Sequence, residues 1–191
     1  MRTITFDLET KNLFQDVGSN DPTALDISVA CIHDSIDDSY QAFFEKDFSK
    51  LWPILEQADA LITWNGDHFD IPLLNKYYPG DLTKIKSIDL MREVHNVLGR
   101  RLKLDTVASA TLGINKSGHG LEAIEWWRSG DLDKLVNYCK DDVKITRQIY
   151  DYAKNNGHIK YKDAGALKEV KLNTIPWEIS QPTSITYTLP F

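Results

Sequence analysis

Thr3-Ile4-Thr5-Phe6-Asp7-Leu8-Glu9 alternates apolar Ile4, Phe6 and Leu8 with polar Thr3, Thr5, Asp7 and Glu9. Period-two alternation marks a β-strand, because successive side chains leave opposite faces. Asp7 and Glu9 therefore share a face, with Cα atoms about 6–7 Å apart at a rise of about 3.3 Å per residue. Two carboxylates held side by side repel each other and lose hydration, a cost that a cation between them offsets. Taken alone, the pair also fits two solvated side chains at a strand end.

Residues 26–33 and 40–44 are β-branched and apolar, so with the first strand they predict an antiparallel meander at one side of a sheet. Residues 48–57 read as a helix with Asp47 as N-cap, and 60–64 as a short buried strand closed by Asn65-Gly66. Helical patterns follow around 73–77, 90–98, 104–112 and 121–128. The longest helix is expected over about 131–155, where Leu132, Leu135, Val136, Cys139, Val143, Thr146 and Tyr150 form one stripe and Gly157 ends it. Residues 159–162 and 168–172 flank Asp163-Ala164-Gly165 as a β-hairpin.

This alternation predicts an α/β layered fold, a mixed central β-sheet of antiparallel meander plus parallel strands, flanked by helices. One domain is expected over 1–173, with the hairpin at 158–172. Residues 174–191 form a C-terminal tail with three prolines and no period, either packed or kept for a partner.

The 191 residues are 42% hydrophobic and 26% charged, the make-up of a globular chain. Lys and Arg number 22 against 28 Asp and Glu, a net charge of −6, which argues against a protein that coats nucleic acid with a basic surface. An enzyme that gathers acids in one metal site is not excluded. No apolar run approaches the roughly 18 residues of a membrane helix, and Asp7 comes too early for a secretory signal. Cys31 and Cys139 lie in apolar segments without metal-ligand spacing, which suits buried free thiols in a reducing cytoplasm.

Two further motifs carry acids. Asn65-Gly66-Asp67-His68-Phe69-Asp70 follows the short strand, and the carboxyl end of a strand is where α/β folds build their sites. Asn65 and Asp70 can both reach such a crevice, with Phe69 to pack or stack; alone, the segment also fits an ordinary turn and helix cap. In Tyr138-Cys139-Lys140-Asp141-Asp142, a turn of about 100° per residue puts Asp141 opposite the apolar stripe. Tyr138 and Asp142 sit on its shoulder about 40° apart, one turn from each other. Alone, a Tyr and an Asp border many helix stripes.

In order, Asp-x-Glu, Asn-x-x-x-Phe-Asp and Tyr-x-x-x-Asp resemble the three motifs of the DEDD superfamily of 3′-to-5′ exonucleases, which are ribonuclease H-like (DnaQ-like) proteins. Tyr138 makes the chain similar to the DEDDy branch; the histidine branch needs His-x-x-x-x-Asp, and His119 is too distant from Asp142. Within that group the chain resembles compact YprB-type nuclease domains, over roughly 1–155. The resemblance implies a ribonuclease H-like fold and a catalytic set of Asp7, Glu9, Asp70, Tyr138 and Asp142. The four acids would hold two divalent ions, Mg²⁺ or Mn²⁺, about 3.5–4 Å apart. Asp7 would bridge both, Glu9 and Asp142 would complete the site of the attacking water, and Asp70 would hold the second ion. Tyr138 would aim the water, since an ordinary tyrosine pKa near 10 makes it a poor base. Hydrolysis would release nucleoside 5′-monophosphates from the 3′ end of single-stranded DNA or RNA.

For substrate, the backbone amides near Leu8 and Thr10 are expected to receive the terminal nucleotide, and Asn65 and Phe69 to hold or stack the next. Lys84 with Lys86, Arg100 with Arg101 and Lys103, and Lys116 with His119 in a Gly-rich loop can each track phosphates or form a solvated face. Trp126-Trp127 reads as core on one side and part exposure on the other. The competing readings are a non-catalytic nuclease-like subunit of a polymerase or helicase complex, contacted through the tail, and an endonuclease on the same fold. Setting the four acids aside leaves a net charge of about −2, so the acidity no longer argues against a nucleic-acid substrate.

Overall fold

The computed structural model describes residues 1–114 and 120–179. Strand β1 (Thr3–Thr10) pairs antiparallel with β2 (Ile27–Asp34), and β2 with β3 (Ser39–Phe43). On its other edge β1 runs parallel to β4 (Ala60–Thr63), and β4 to β5 (Ser87–Asp89), giving the order β3-β2-β1-β4-β5. Around this mixed sheet lie α1 (Phe14–Val17), α2 (Phe48–Glu56), α3 (Asp70–Asn75), α4 (Leu90–Leu98), α5 (Leu104–Leu112), α6 (Gly120–Ser129) and α7 (Leu132–Asn156). A separate hairpin pairs β6 (His158–Asp163) with β7 (Ala166–Lys171). Its two-residue turn has Ala164 and Gly165 at φ 49° and 83°, the left-handed pair that matches strand twist.

The sheet is covered on both faces. Ile4, Phe6 and Leu8 pack with Leu51 and Leu55 of α2 and with Leu73 and Leu74 of α3. On the opposite face Val29 and Cys31 meet Leu135, Tyr138, Cys139 and Val143 of α7. Beside them Ile62 and Ile88 pack with Val94, Val107 and Ile149. Each fully buried Leu or Ile side chain contributes about 1.5–3 kcal/mol. The polar side of β1 is thus buried under α7, and Asp7 alone in the strand keeps intermediate exposure.

The expected meander, the parallel β4, the long helix and the hairpin are all present. Several elements differ locally from these expectations. Asp47 stands at the head of α2 but does not cap it; a 3-10 turn at Glu45–Asp47 runs straight into the helix, and the Asp47 carboxylate accepts from Lys50 Nζ at 2.7 Å. Helix α3 starts at Asp70, ahead of the expected 73. Leu132 is 39% exposed, because packing of α7 on the sheet begins one turn later at Leu135. Strand β5 was not expected, since three residues cannot display a period and its strand form comes from pairing with β4.

Beyond residue 173 the chain continues as a 3-10 turn, Ile175–Glu178, that seats Trp177 in the core, stacked on Tyr150 at 5.4 Å. Lys86 Nζ donates to the carbonyls of Pro176, Trp177 and Ile179 at 2.5, 3.0 and 2.8 Å, so this lysine holds the chain end instead of tracking phosphates. Lys116, His119 and residues 180–191 lie outside the described residues. Among the described residues no helix is long and apolar enough to cross a membrane.

Candidate metal centre and substrate cleft

Asp7 and Glu9 leave β1 on the face that α7 crosses, opposite Cys31 and Val29 of β2. The Cys139 thiol donates to the Asp7 carbonyl at 3.4 Å, tying helix to strand at this point. Burial pushes that thiol's pKa well up, so it serves here as a neutral packing group. Tyr138 and Asp142 are each 4% exposed, one turn apart on the inner side, whereas Asp141 is exposed. The Tyr138 ring is held edge-on by Trp126 at 5.6 Å. Trp126 and Trp127 are both half-buried, as expected.

One carboxylate oxygen each from Asp7, Glu9 and Asp142 lie within 4.8 Å of one another. Three converging carboxylates form an all-oxygen donor set, which suits a hard divalent ion such as Mg²⁺ or Mn²⁺. The residues present therefore fit such an ion.

Asp70 stands outside that triplet. It is the first residue of α3, 4% exposed, and its carboxyl is pushed up to about 7 chiefly by burial. Hydrogen bonds from its own amide and that of Leu8 pull the pKa back, while the charges of Asp89 and Asp142 raise it further. The structure brings three of the four expected acids into one cluster and leaves the fourth buried and electrostatically coupled beside it.

The turn that delivers Asp70 is built tightly. Asn65 adopts φ 74°, a left-handed conformation that Asn tolerates, and at Gly66 a Cβ would come within 2.3 Å of the Thr63 side chain. Asp89, a residue the sequence reading missed, clamps this turn. Its Oδ1 accepts from the amides of Asn65 at 2.8 Å, Met91 at 3.0 Å and Arg92 at 3.2 Å, and its Oδ2 from Asp67 at 3.2 Å. One buried carboxylate therefore caps α4 and fixes the loop leading to Asp70. Burial raises its pKa, and the backbone hydrogen bonds and the charge of Arg101 oppose the rise. The available signal was an Asp immediately before the first periodic residue of a helix.

Leu8, Thr10 and Phe69 line one cleft of about 220 Å³ with Glu9, Phe14 and Ile124. Phe69 meets Phe14 edge-on at 6.2 Å, and the Thr10 hydroxyl donates to the Asn12 carbonyl at 2.9 Å. The Leu8 amide points to Asp70. Asn65 does not reach this cleft; it borders a second cavity with His68, Arg92, His95 and Arg101.

No curated protein matches the sequence at a significant level. A family model of the RNase H superfamily matches residues 4–154, from the start of β1 almost to the end of α7. The chain belongs to the RNase H superfamily. Its mixed sheet and flanking helices agree with that fold, and membership supports a nuclease, a hydrolase of phosphodiester bonds that uses divalent metal.

Proposed function

We propose that this member of the RNase H superfamily is a DEDDy-type, metal-dependent 3′-to-5′ exonuclease, similar to compact YprB-type domains, acting on single-stranded DNA or RNA. The observation that carries the reading is the convergence of Asp7, Glu9 and Asp142 within 4.8 Å, with Tyr138 one turn from Asp142 on the same buried side of α7. When bound, two ions, Mg²⁺ or Mn²⁺, supply Lewis acidity to the scissile phosphate and lower the pKa of the attacking water. Asp7, Glu9 and Asp142 would hold one ion, and Asp70, beside them, would help to hold the other. Tyr138, its ring fixed by Trp126, orients the water through its hydroxyl. The cleft of Leu8, Thr10 and Phe69 receives the terminal nucleotide, and the ring of Phe69 offers it an apolar face. The products are nucleoside 5′-monophosphates.

The test uses 5′-labelled single-stranded DNA and RNA of one sequence with wild type, Asp7→Ala and Asp142→Ala, in Mn²⁺ or in chelator. A ladder shortening from the 3′ end, lost in both variants and in chelator, is expected. Internal cuts would replace this reading with an endonuclease, and binding without cleavage with a nuclease-like subunit.

A further inference from the structure

The cavity beside Asn65 has a volume of about 170 Å³, room for a phosphate group. Its walls come from three places: the turn carrying Asn65 and His68, the first turns of α4 with Arg92 and His95, and Arg101 in the link to α5. Two carboxylates also line it, and both are engaged internally. Asp67 accepts from the Arg92 guanidinium and, at 2.5 Å, from the Ser87 hydroxyl. Asp89 accepts four backbone amides. Arg92 is held by Asp67 and by the Ser87 carbonyl. The groups left to meet a ligand are two exposed imidazoles, the Asn65 side chain and the exposed Arg101 guanidinium, whose charge acts at a distance on Asp89 but which makes no ion pair among the described residues.

That set is rich in N–H donors and holds a fixed cation, which selects an anion, and guanidinium matches phosphate oxygens in pairs. Of the basic groups in the sequence, Lys86 is engaged with the chain end and Arg100 pairs with Asp163 at 3.0 Å. Lys86 also lines a cavity on this turn, beside Asp67, but its ammonium is taken up by the chain-end carbonyls, whereas Arg101 faces the Asn65 cavity with no ion pair among the described residues. An anion at this spot while the 3′ nucleotide fills the Leu8 cleft belongs to the strand upstream of the scissile bond.

We infer that this pocket is an upstream subsite in which Arg101, with His68, His95 and Asn65, grips an internucleotide phosphate on the 5′ side of the bond being cut. The inference rests on the exonuclease reading for the direction of the strand. One contact of this kind makes binding depend on salt with a slope of about −0.7 per phosphate on a single strand.

The experiment compares wild type, Arg101→Ala and Arg101→Lys on a single-stranded oligonucleotide and on the p-nitrophenyl ester of thymidine 5′-monophosphate, which has no upstream phosphate. Rates in Mn²⁺ are measured across a KCl series, with melting curves to check folding. A parallel anisotropy titration of labelled oligonucleotide is run in chelator. Arg101→Ala should raise KM for the oligonucleotide by about 3–10-fold more than for the ester and flatten the salt slope by about 0.7. Arg101→Lys should recover part of both, and the anisotropy titration should show the same loss of affinity and slope. Equal losses on the two substrates, or an unaltered salt slope in rates and binding, would overturn the subsite. If wild type cleaves neither substrate, the exonuclease reading falls, and the anisotropy slopes still decide whether Arg101 holds a phosphate.

Discussion

Asp70→Asn should make the metal-free protein more stable at alkaline pH while removing its activity. In the fold the Asp70 carboxyl is lifted from 3.8 to about 7. A raised carboxylate favours its neutral form, so its contribution to stability is fully present below about 3.8 and is lost as pH rises through about 7. At about 1.4 kcal/mol per unit, the ionised group at pH 8 costs about 4 kcal/mol relative to the unfolded chain. Asparagine carries no charge and keeps one acceptor for the Leu8 amide, but its NH₂ faces sites built for an acceptor, which returns about 1–2 kcal/mol. The net gain at pH 8 is about 2–3 kcal/mol, or about 4–12 °C in Tm for a domain of this size. Near pH 4 both side chains are neutral in the fold, and the gap should close or reverse slightly. The assay is a pair of melting curves at pH 4, 6 and 8 in chelator, repeated with Mn²⁺, which should raise the wild type and narrow the gap. A gap that does not depend on pH, or a variant that melts lower at pH 8, would refute the electrostatic account.

Asp142→Ala should lower nuclease activity by about 100-fold or more, the effect of losing several kcal/mol of charge stabilisation. Asp141→Ala on the exposed side of α7 should leave activity nearly intact, and oligonucleotide digests of the two variants read the difference. Gly66→Ala forces a Cβ to within 2.3 Å of the Thr63 side chain and should cost about 1–3 kcal/mol, seen as a lower denaturation midpoint. Asp89→Ala leaves four amides without their acceptor and should cost about 2–4 kcal/mol. Hydrogen exchange should locate the loss: the amides of Asn65, Asp67, Met91 and Arg92 should exchange faster, ahead of those of β2.

Local periodicity carried what local periodicity can. Helices α4 and α5 fall on the residues their patterns mark, and the helical angle separates buried Asp142 from exposed Asp141 without any knowledge of the sheet. The approach of Asp142 to Asp7 and Glu9 is a different kind of fact, because it depends on where α7 crosses β1, some 132 residues away along the chain at the Cys139–Asp7 contact. No pattern within either element encodes that crossing; only the order of the three motifs pointed to it. The alternation in β1 likewise reads as one wet face, when α7 covers it. Asp70 and Asp89 mark the limit most clearly. In sequence each is an aspartate at the head of a helix, and in the structure each is buried. They part company in their surroundings: Asp89 receives four amides, which satisfy its charge and make it a clamp, whereas Asp70 receives two and faces the charges of Asp89 and Asp142. A buried carboxylate with too few donors for its charge favours a cation, and that shortfall is set by the meeting of β1, α3, β5 and α7 rather than by any one of them.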